Sequence, residues 1–177
     1  MKLTVTGDIN SFYVQTLCMI FFPGEKFVEN QEITEYTPIM EVSVTNSENV
    51  SSAKATLTYK GKTVQAEKTV DFAPERTKQR TAKIAAGSAV LAVCTELLGY
   101  RPSWGMLTGV RPSKVAMEML LNGNSKAKVR KTLNNDYYVI PKKAALATDI
   151  ARREQKIIGK PDIKDCSIYI SIPFCPS

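Results

Sequence analysis

The fold class is decided by residues 40–72, MEVSVTNSENVSSAKATLTYKGKTVQAEKTVDF. Apolar and polar side chains alternate through three runs, 40–45, 53–60 and 63–72, as in strands with one buried and one solvated face. Lys60-Gly61-Lys62 predicts the hairpin turn between the last two runs, because Gly61 supplies the positive φ that such a turn needs. The stretch therefore predicts a small, mostly antiparallel sheet.

Helical periodicity flanks this stretch on both sides. A first strand, Lys2–Thr6, leads into apolar residues spaced by three and four from Ile9 to Ile20, which predicts one amphipathic helix covering the sheet. After Pro74, apolar residues at helical spacing between Ala82 and Leu98 predict a helix of some twenty residues that is buried over much of its surface. Capping residues predict three further helices: Pro112–Leu121, Lys126–Asn134 and Pro141–Ile158.

One more alternating run, Ser167–Ile172, follows about 95 residues after the other strands, behind a Lys-Pro-Asp linker at 160–162. This strand has no predicted neighbour in the chain. The predicted fold class is therefore α+β, with a sheet subdomain at 1–73, a helical subdomain at 74–159, and a linker with an orphan C-terminal strand at 160–177.

Length and composition are those of an ordinary globular protein. The 177 residues are 44% hydrophobic and 23% charged, which suits one folded core. No apolar run approaches the roughly 20 residues of a membrane span. The N-terminus lacks the basic and apolar stretches of a signal peptide. We therefore expect a cytoplasmic protein without a membrane partner.

The sequence contains no histidine, which excludes Ser-His-Asp and Cys-His catalytic arrangements and histidine-containing zinc sites. Without an export signal, the four cysteines are expected to be reduced thiols: Cys18, Cys94, Cys166 and Cys175. The net charge of +7 is uneven, because residues 1–73 carry six Lys and Arg against nine Asp and Glu, and residues 74–177 carry eighteen against eight. The basic half favours an acidic partner or an anionic ligand, and solvated helix faces explain the same excess.

A family resemblance lies in the segment Tyr169-Ile170-Ser171-Ile172-Pro173-Phe174-Cys175. It resembles the Tyr-x-His-Ile-Pro-Phe-Cys segment of the oxygen-independent coproporphyrinogen III oxidases, a family of radical S-adenosylmethionine (SAM) enzymes. Ser171 stands where many members have histidine, although one branch has a small residue there. A second block, Trp104–Lys114, resembles the N-terminal extension of such a branch, found in anaerobic and Gram-positive bacteria.

The resemblance implies that Cys175 is the first ligand of a [4Fe–4S] cluster, in a Cys-x-x-x-Cys-x-x-Cys motif that leaves the fourth iron for SAM. It also implies that Tyr169 lines the SAM site, whereas the plainer interpretation is a strand tyrosine that packs with only its hydroxyl in water. The reaction implied for the whole enzyme is oxidative decarboxylation of two coproporphyrinogen III propionates to vinyl groups, in haem biosynthesis. Because the other two cysteines would follow Ser177, we expect an N-terminal fragment in which Ser167–Ile172 starts a radical SAM barrel. The fragment alone would be inactive, with no catalytic residues and no cofactor.

Arg111 and Lys114 are the candidate binding residues of the second block. They flank a predicted helix start at Pro112, whose free N–H groups favour anions. Under the resemblance, they would contact an anionic tetrapyrrole or the missing C-terminal radical SAM domain of the same chain. The plainer interpretation is that the two side chains satisfy local carbonyl groups.

Two functions remain from the sequence. The first is an accessory N-terminal domain of a radical SAM enzyme, acting as a scaffold or at the substrate entrance. The second is a stand-alone basic module for RNA or DNA, built from Pro74 onward. Few aromatic residues argue against the second, since residues 74–135 contain only Tyr100 and Trp104 for stacking on bases. The parent's substrate stays open, because relatives with the same opening motif include haem chaperones and methyltransferases.

Overall fold

The computed structural model describes residues 1–27, 33–74, 76–159, 162, 164, 166 and 168–170. These residues form an α+β fold, as predicted, with a four-stranded sheet and five helices. The elements in chain order are β1 (Lys2–Gly7), α1 (Ser11–Phe21), β2 (Ile39–Asn46), β3 (Val50–Tyr59), β4 (Lys62–Asp71), α2 (Lys78–Leu98), α3 (Pro112–Leu121), α4 (Lys126–Asn135) and α5 (Pro141–Ile158).

The sheet has the strand order β1-β2-β3-β4. β1 runs parallel to β2, with Leu3 opposite Met40, because α1 provides the crossover between them. The β2/β3 and β3/β4 pairs are antiparallel, so the sheet is mixed and mostly antiparallel. Lys60 and Gly61 form the predicted hairpin loop with φ values of 51° and 69°, the left-handed pair that matches the twist of the flanking strands.

Two helices cover the sheet, which corrects the prediction of a single covering helix. α2 lies against β2, β3 and β4, and α1 lies beside α2 and contacts β1. Small residues in the middle of α2 permit this close approach. At Gly87, an added Cβ would come within 2.5 Å of Met106 Sδ and 2.6 Å of Tyr13 Oη. Local periodicity predicted the buried helix, but not the sheet as its partner.

Two hydrophobic clusters form the interior. The first combines α1, the sheet and α2, and it includes Met106 from the following segment. The second joins α3, α4 and α5 through the buried residues Ala116, Leu120, Val129, Leu133, Val139, Ala144, Ala147 and Ala151. The division of the chain into subdomains at 73/74 stays a prediction.

Helix α2 is long and apolar enough to cross a membrane, with a mean hydropathy of 1.4 over its apolar window. Inside this fold, 67% of that window is buried. Core helices meet the same criteria of length and composition. The burial of α2 against the sheet and α1 gives its apolar surface a partner within the domain.

The described end of the chain differs from the prediction. α5 ends at Ile158, before Gly159, as predicted. Beyond it, Ile168, Tyr169 and Ile170 lie outside any strand or helix, with 85%, 90% and 82% of their surfaces exposed. These three residues therefore do not form the predicted orphan strand, since no described strand pairs with them. The other positions of that strand lie outside the described residues.

Candidate functional site

A cleft of about 440 Å³ separates the start of α2 from α3 and α4. Its charged lining consists of Arg76, Arg80, Lys128, Glu118 and Asp136. The start of α2 places Arg80 here, because Thr77 caps the helix and its Oγ1 accepts a hydrogen bond from Arg80 N at 3.1 Å. Cations outnumber carboxylates on this lining by three to two.

Arg76 and Asp136 form an ion pair at the edge of this cleft. Arg76 Nη2 donates to Asp136 Oδ2 at 2.6 Å, and only 22% of each side chain is exposed. A charge-assisted hydrogen bond that is partly shielded from water is stronger than an exposed ion pair. The pair joins the segment before α2 to the C-terminal end of α4.

Arg80 is held on one side by Tyr137. Its Nε donates a hydrogen bond to Tyr137 Oη at 2.8 Å, and its guanidinium carbon lies 5.8 Å from the centre of the tyrosine ring. Arg80 Nη1 lies 4.0 Å from Glu118 Oε1, which exceeds hydrogen-bond distance. Within the described part of the chain, the terminal nitrogens of Arg80 therefore have no acceptor at hydrogen-bond distance.

A second cleft of about 300 Å³ adjoins the first, since both are lined by Arg80, Glu118 and Tyr137. Its other walls are mainly apolar, and they include Ile84, Met106, Leu107, Val110 and Val115. We call the two clefts together the α2–α3 groove. The groove has a polar end and an apolar end, with Arg80 at the junction.

Lys83 and Tyr13 close the apolar end. Lys83 Nζ lies 5.7 Å from the centre of the Tyr13 ring, and Tyr13 Oη donates to the carbonyl oxygen of Lys83 at 3.2 Å. Burial, followed by the nearby Tyr137, raises the pKa of Tyr13 well above its ordinary value. Tyr13 is therefore a neutral hydrogen-bond donor near neutral pH and does not exchange protons with a ligand.

The block Trp104–Lys114 forms part of the wall of the α2–α3 groove. Its backbone is tied to the segment after α4, because Met106 N donates to Tyr137 O at 3.0 Å. Where the segments meet, Gly105 and Tyr138 both have left-handed backbones, with φ values of 57° and 58°. A Cβ on Gly105 would lie only 2.0 Å from Tyr137 O, so the close approach requires glycine.

Arg111 and Lys114 lie beside the apolar end of the groove. Arg111 immediately precedes α3, its carbonyl oxygen accepts the Lys114 N–H at 2.9 Å, and both residues are exposed. Their neighbours Val110 and Val115 line the groove. The structure thus brings the two predicted cations together, and neither forms an ion pair within the described part of the chain. Their role toward an anion or another domain stays a prediction.

The described thiols do not fit an iron–sulfur cluster. Burial raises the pKa of the Cys18 thiol to about 12, and burial together with Cys18 raises that of Cys94 still further. Cys166 is exposed, and Cys175 lies outside the described residues. In the described ranges, no group of three Cys, Asp or Glu residues could hold a metal ion. The role of Tyr169 beside SAM also stays a prediction, since Tyr169 is exposed and lines neither of the two clefts described above.

Sequence reasoning missed the cations of the α2–α3 groove. Arg80 and Lys83 are three residues apart and share one face at the start of an otherwise apolar helix, and Arg76 lies four residues before Arg80 in the segment that precedes the helix. That spacing was a usable signal. Asp136 and Tyr137 had no such signal, because they reach the groove from a segment about 60 residues away.

This chain is similar to the oxygen-independent coproporphyrinogen-III oxidase-like protein HemZ of Bacillus subtilis, with 30% identity over 176 residues. The match covers 95% of this chain and 32% of HemZ, so the chain spans about a third of the length of this curated relative. No family model matches the chain. No solved structure matches it either. The resemblance inferred from two short blocks is confirmed by this match, which extends over nearly the whole chain.

Proposed function

We propose that this chain, which is similar over nearly its whole length to a coproporphyrinogen-III oxidase-like protein, is the N-terminal accessory domain of a longer radical SAM protein. The observation that carries the proposal is the coverage of 95% of this chain against 32% of HemZ. The longer protein would act in the cytoplasm on coproporphyrinogen III or on a related substrate. The cluster and SAM would be held by the rest of that protein.

The accessory role agrees with the chemistry of the described residues. The two buried thiols are protonated at neutral pH, and no described cluster of side chains suits a metal. The described residues do supply exposed cations, among which Arg111 and Lys114 stand together at the start of α3. In this proposal the pair contacts carboxylates, either the propionates of an anionic tetrapyrrole or acidic side chains of the catalytic domain.

The test uses the longer protein encoded by the same reading frame, compared with a variant that lacks residues 1–159. We expect the shortened protein to keep its iron and sulfide content and its cleavage of SAM, and to lose at least about tenfold in turnover of coproporphyrinogen III, or ~1.4 kcal/mol of transition-state stabilisation. Unchanged turnover would contradict an accessory role in the reaction. A loss of iron and sulfide would show that these residues build the cluster site.

A double variant, Arg111→Gln with Lys114→Gln, tests the contact itself. We expect an increase of about fivefold in KM, or ~1 kcal/mol, as for an exposed ion pair. Lys54→Gln is the matched control, because Lys54 is an exposed cation on the opposite face of the sheet from α2. Equal effects of the double variant and the control would remove this part of the proposal.

The salt dependence of oligonucleotide binding distinguishes the accessory domain proposed here from the alternative, a nucleic-acid-binding module. A basic module would bind a single-stranded oligonucleotide with an affinity that falls steeply as salt increases. We expect no binding at moderate salt in a fluorescence anisotropy titration. Tight, salt-sensitive binding would favour the module.

A further inference from the structure

We propose that the α2–α3 groove binds a small amphipathic carboxylate, with an apolar or aromatic body of one or two rings between α2 and the 106–115 segment and its carboxylate at Arg80 and Lys83. This inference rests on the groove alone and does not depend on the proposed function.

Arg80 and Lys83, which both line the smaller cleft of the groove, suit a carboxylate. Arg80 donates a hydrogen bond from Nε to Tyr137 Oη, and its terminal nitrogens form no hydrogen bond with the described residues. A planar carboxylate can therefore accept hydrogen bonds from these terminal nitrogens. Lys83 lies one turn further along α2, and its ammonium contacts the Tyr13 ring. Neither cation has a carboxylate within hydrogen-bond distance in the described ranges, so an arriving anion need not displace a strong ion pair.

The apolar walls of the same cleft suit an apolar body. Ile84, Met106, Leu107, Val110 and Val115 present aliphatic and thioether groups to a cleft of about 300 Å³. This volume is at the lower end of the range for small-molecule pockets, which typically measure about 300–1,000 Å³. Val110 is 51% exposed, so burying it under a ring would remove apolar surface from water.

The groove is held in shape before any ligand arrives. Tyr137 fixes Arg80 through Oη and fixes Met106 through its backbone oxygen, at 2.8 and 3.0 Å. Tyr13 Oη holds the Lys83 carbonyl from the opposite side and lies 3.6 Å from Met106 Sδ. Side chains that are already ordered lose less entropy when a ligand binds, which favours affinity.

The Glu118 carboxylate disfavours a bound carboxylate. A variant at Glu118 is therefore expected to change the affinity in the opposite direction from a variant at Arg80. Its carboxylate lies 4.0 Å from Arg80 Nη1, and 63% of its side chain is exposed. A bound carboxylate would be repelled by this charge at short range. Replacing Glu118 by glutamine should therefore strengthen binding, while replacing Arg80 should weaken it.

The experiment titrates the 177-residue chain with naphthoate. Naphthamide is the matched neutral probe, and acetate is the probe that has a carboxylate but no aromatic ring. Methyl NMR shifts locate the probe, and calorimetry measures the affinity. We expect naphthoate to bind about tenfold more tightly than naphthamide, to bind far more tightly than acetate, and to shift the methyl groups of Leu107, Val110 and Val115.

Variants decide whether the groove makes the contact. We expect about tenfold weaker naphthoate binding for Arg80→Gln, a smaller loss for Lys83→Gln, about threefold tighter binding for Glu118→Gln, and no change for Lys54→Gln. Far-UV circular dichroism confirms that each variant is folded; if Arg80→Gln is not folded, the gain in Glu118→Gln carries the test. Equal affinities for naphthoate and naphthamide, shifts at other methyl groups, or an unchanged affinity in both Arg80→Gln and Glu118→Gln would overturn the proposal.

Discussion

The Arg76 guanidinium and the Asp136 carboxylate meet at 2.6 Å, although 60 residues separate them in the sequence. Arg76 precedes the helix that covers the sheet, and Asp136 follows the last turn of α4. The pair therefore links an element of the first hydrophobic cluster to an element of the second. It lies on the lining of the α2–α3 groove and helps to hold its walls together.

Removing one partner of this ion pair should destabilise the chain. We expect Asp136→Asn to lower the free energy of unfolding by about 2 kcal/mol, because the partly buried guanidinium of Arg76 loses its charged acceptor. Urea denaturation measures the change. The double variant with Arg76→Gln should be less destabilised than the sum of the single variants. Additive effects would show that the two residues do not stabilise each other.

Gly105 and Gly109 offer a matched comparison of steric contact. Both have positive φ, but only Gly105 faces a close backbone, with Tyr137 O 2.0 Å from the position of an added Cβ. We expect Gly105→Ala to cost about 3 kcal/mol. Gly109→Ala, with nothing within 4 Å of the added Cβ, should cost only about 1 kcal/mol of backbone strain. Thermal unfolding of both variants checks the order, and similar losses would contradict the close approach.

The buried cysteines should resist alkylation in the folded chain. Burial raises the pKa of the Cys18 thiol to about 12, so very little of it is the reactive thiolate near pH 8. The pKa of Cys94 is raised further, whereas Cys166 is exposed. We expect iodoacetamide to label Cys166 within minutes and to label Cys18 and Cys94 only after denaturation, as mapped by mass spectrometry. Rapid labelling of Cys18 before unfolding would show that α1 opens readily.

Deleting residues 166–177 should leave thermal stability nearly unchanged. The described residues of this segment, which include Ile168–Ile170, are exposed and unpaired with the sheet. A longer truncation after Ile150 is the control, because it also removes the fully buried Ala151 and the last turns of α5. We expect a marked loss of stability for the control alone. A loss of several kcal/mol from the shorter deletion would make the C-terminal segment an integral part of the fold.

Asp149 should titrate below its ordinary range. The hydrogen bond from Lys126, assisted by Arg130, lowers the pKa of this carboxyl. Because the folded-state pKa is the lower one, the contribution to stability is present above the unfolded-state pKa and is lost as pH falls through the folded-state pKa. Carbon NMR should show the Asp149 pKa rising in Lys126→Gln. The exposed Lys156→Gln serves as the control, and an unchanged pKa in both variants would exclude the Lys126 contact in solution.

Local signals in the sequence predicted much of the secondary structure. The bounds of α3 and α5 agree with the prediction because proline starts each helix and the chain turns at glycine soon after each one ends. The hairpin turn at Lys60-Gly61-Lys62 was predictable from Gly61, which supplies a positive φ, whereas the positive φ of Lys60 was visible only in the structure. The prediction of a strand at Ser167–Ile172 was wrong at its described positions, since alternation alone cannot provide a neighbouring strand.

The α+β class, most element boundaries and the family resemblance could be inferred from the sequence, because each depends on residues that are neighbours in the chain. The cover of the sheet by α2 beside α1, and the meeting of Arg80 with Tyr137 at the α2–α3 groove, became visible when the folded chain was examined. Arg80 and Tyr137 are 57 positions apart, and the contacts of α2 depend on how whole elements bury their apolar faces and not on any local spacing.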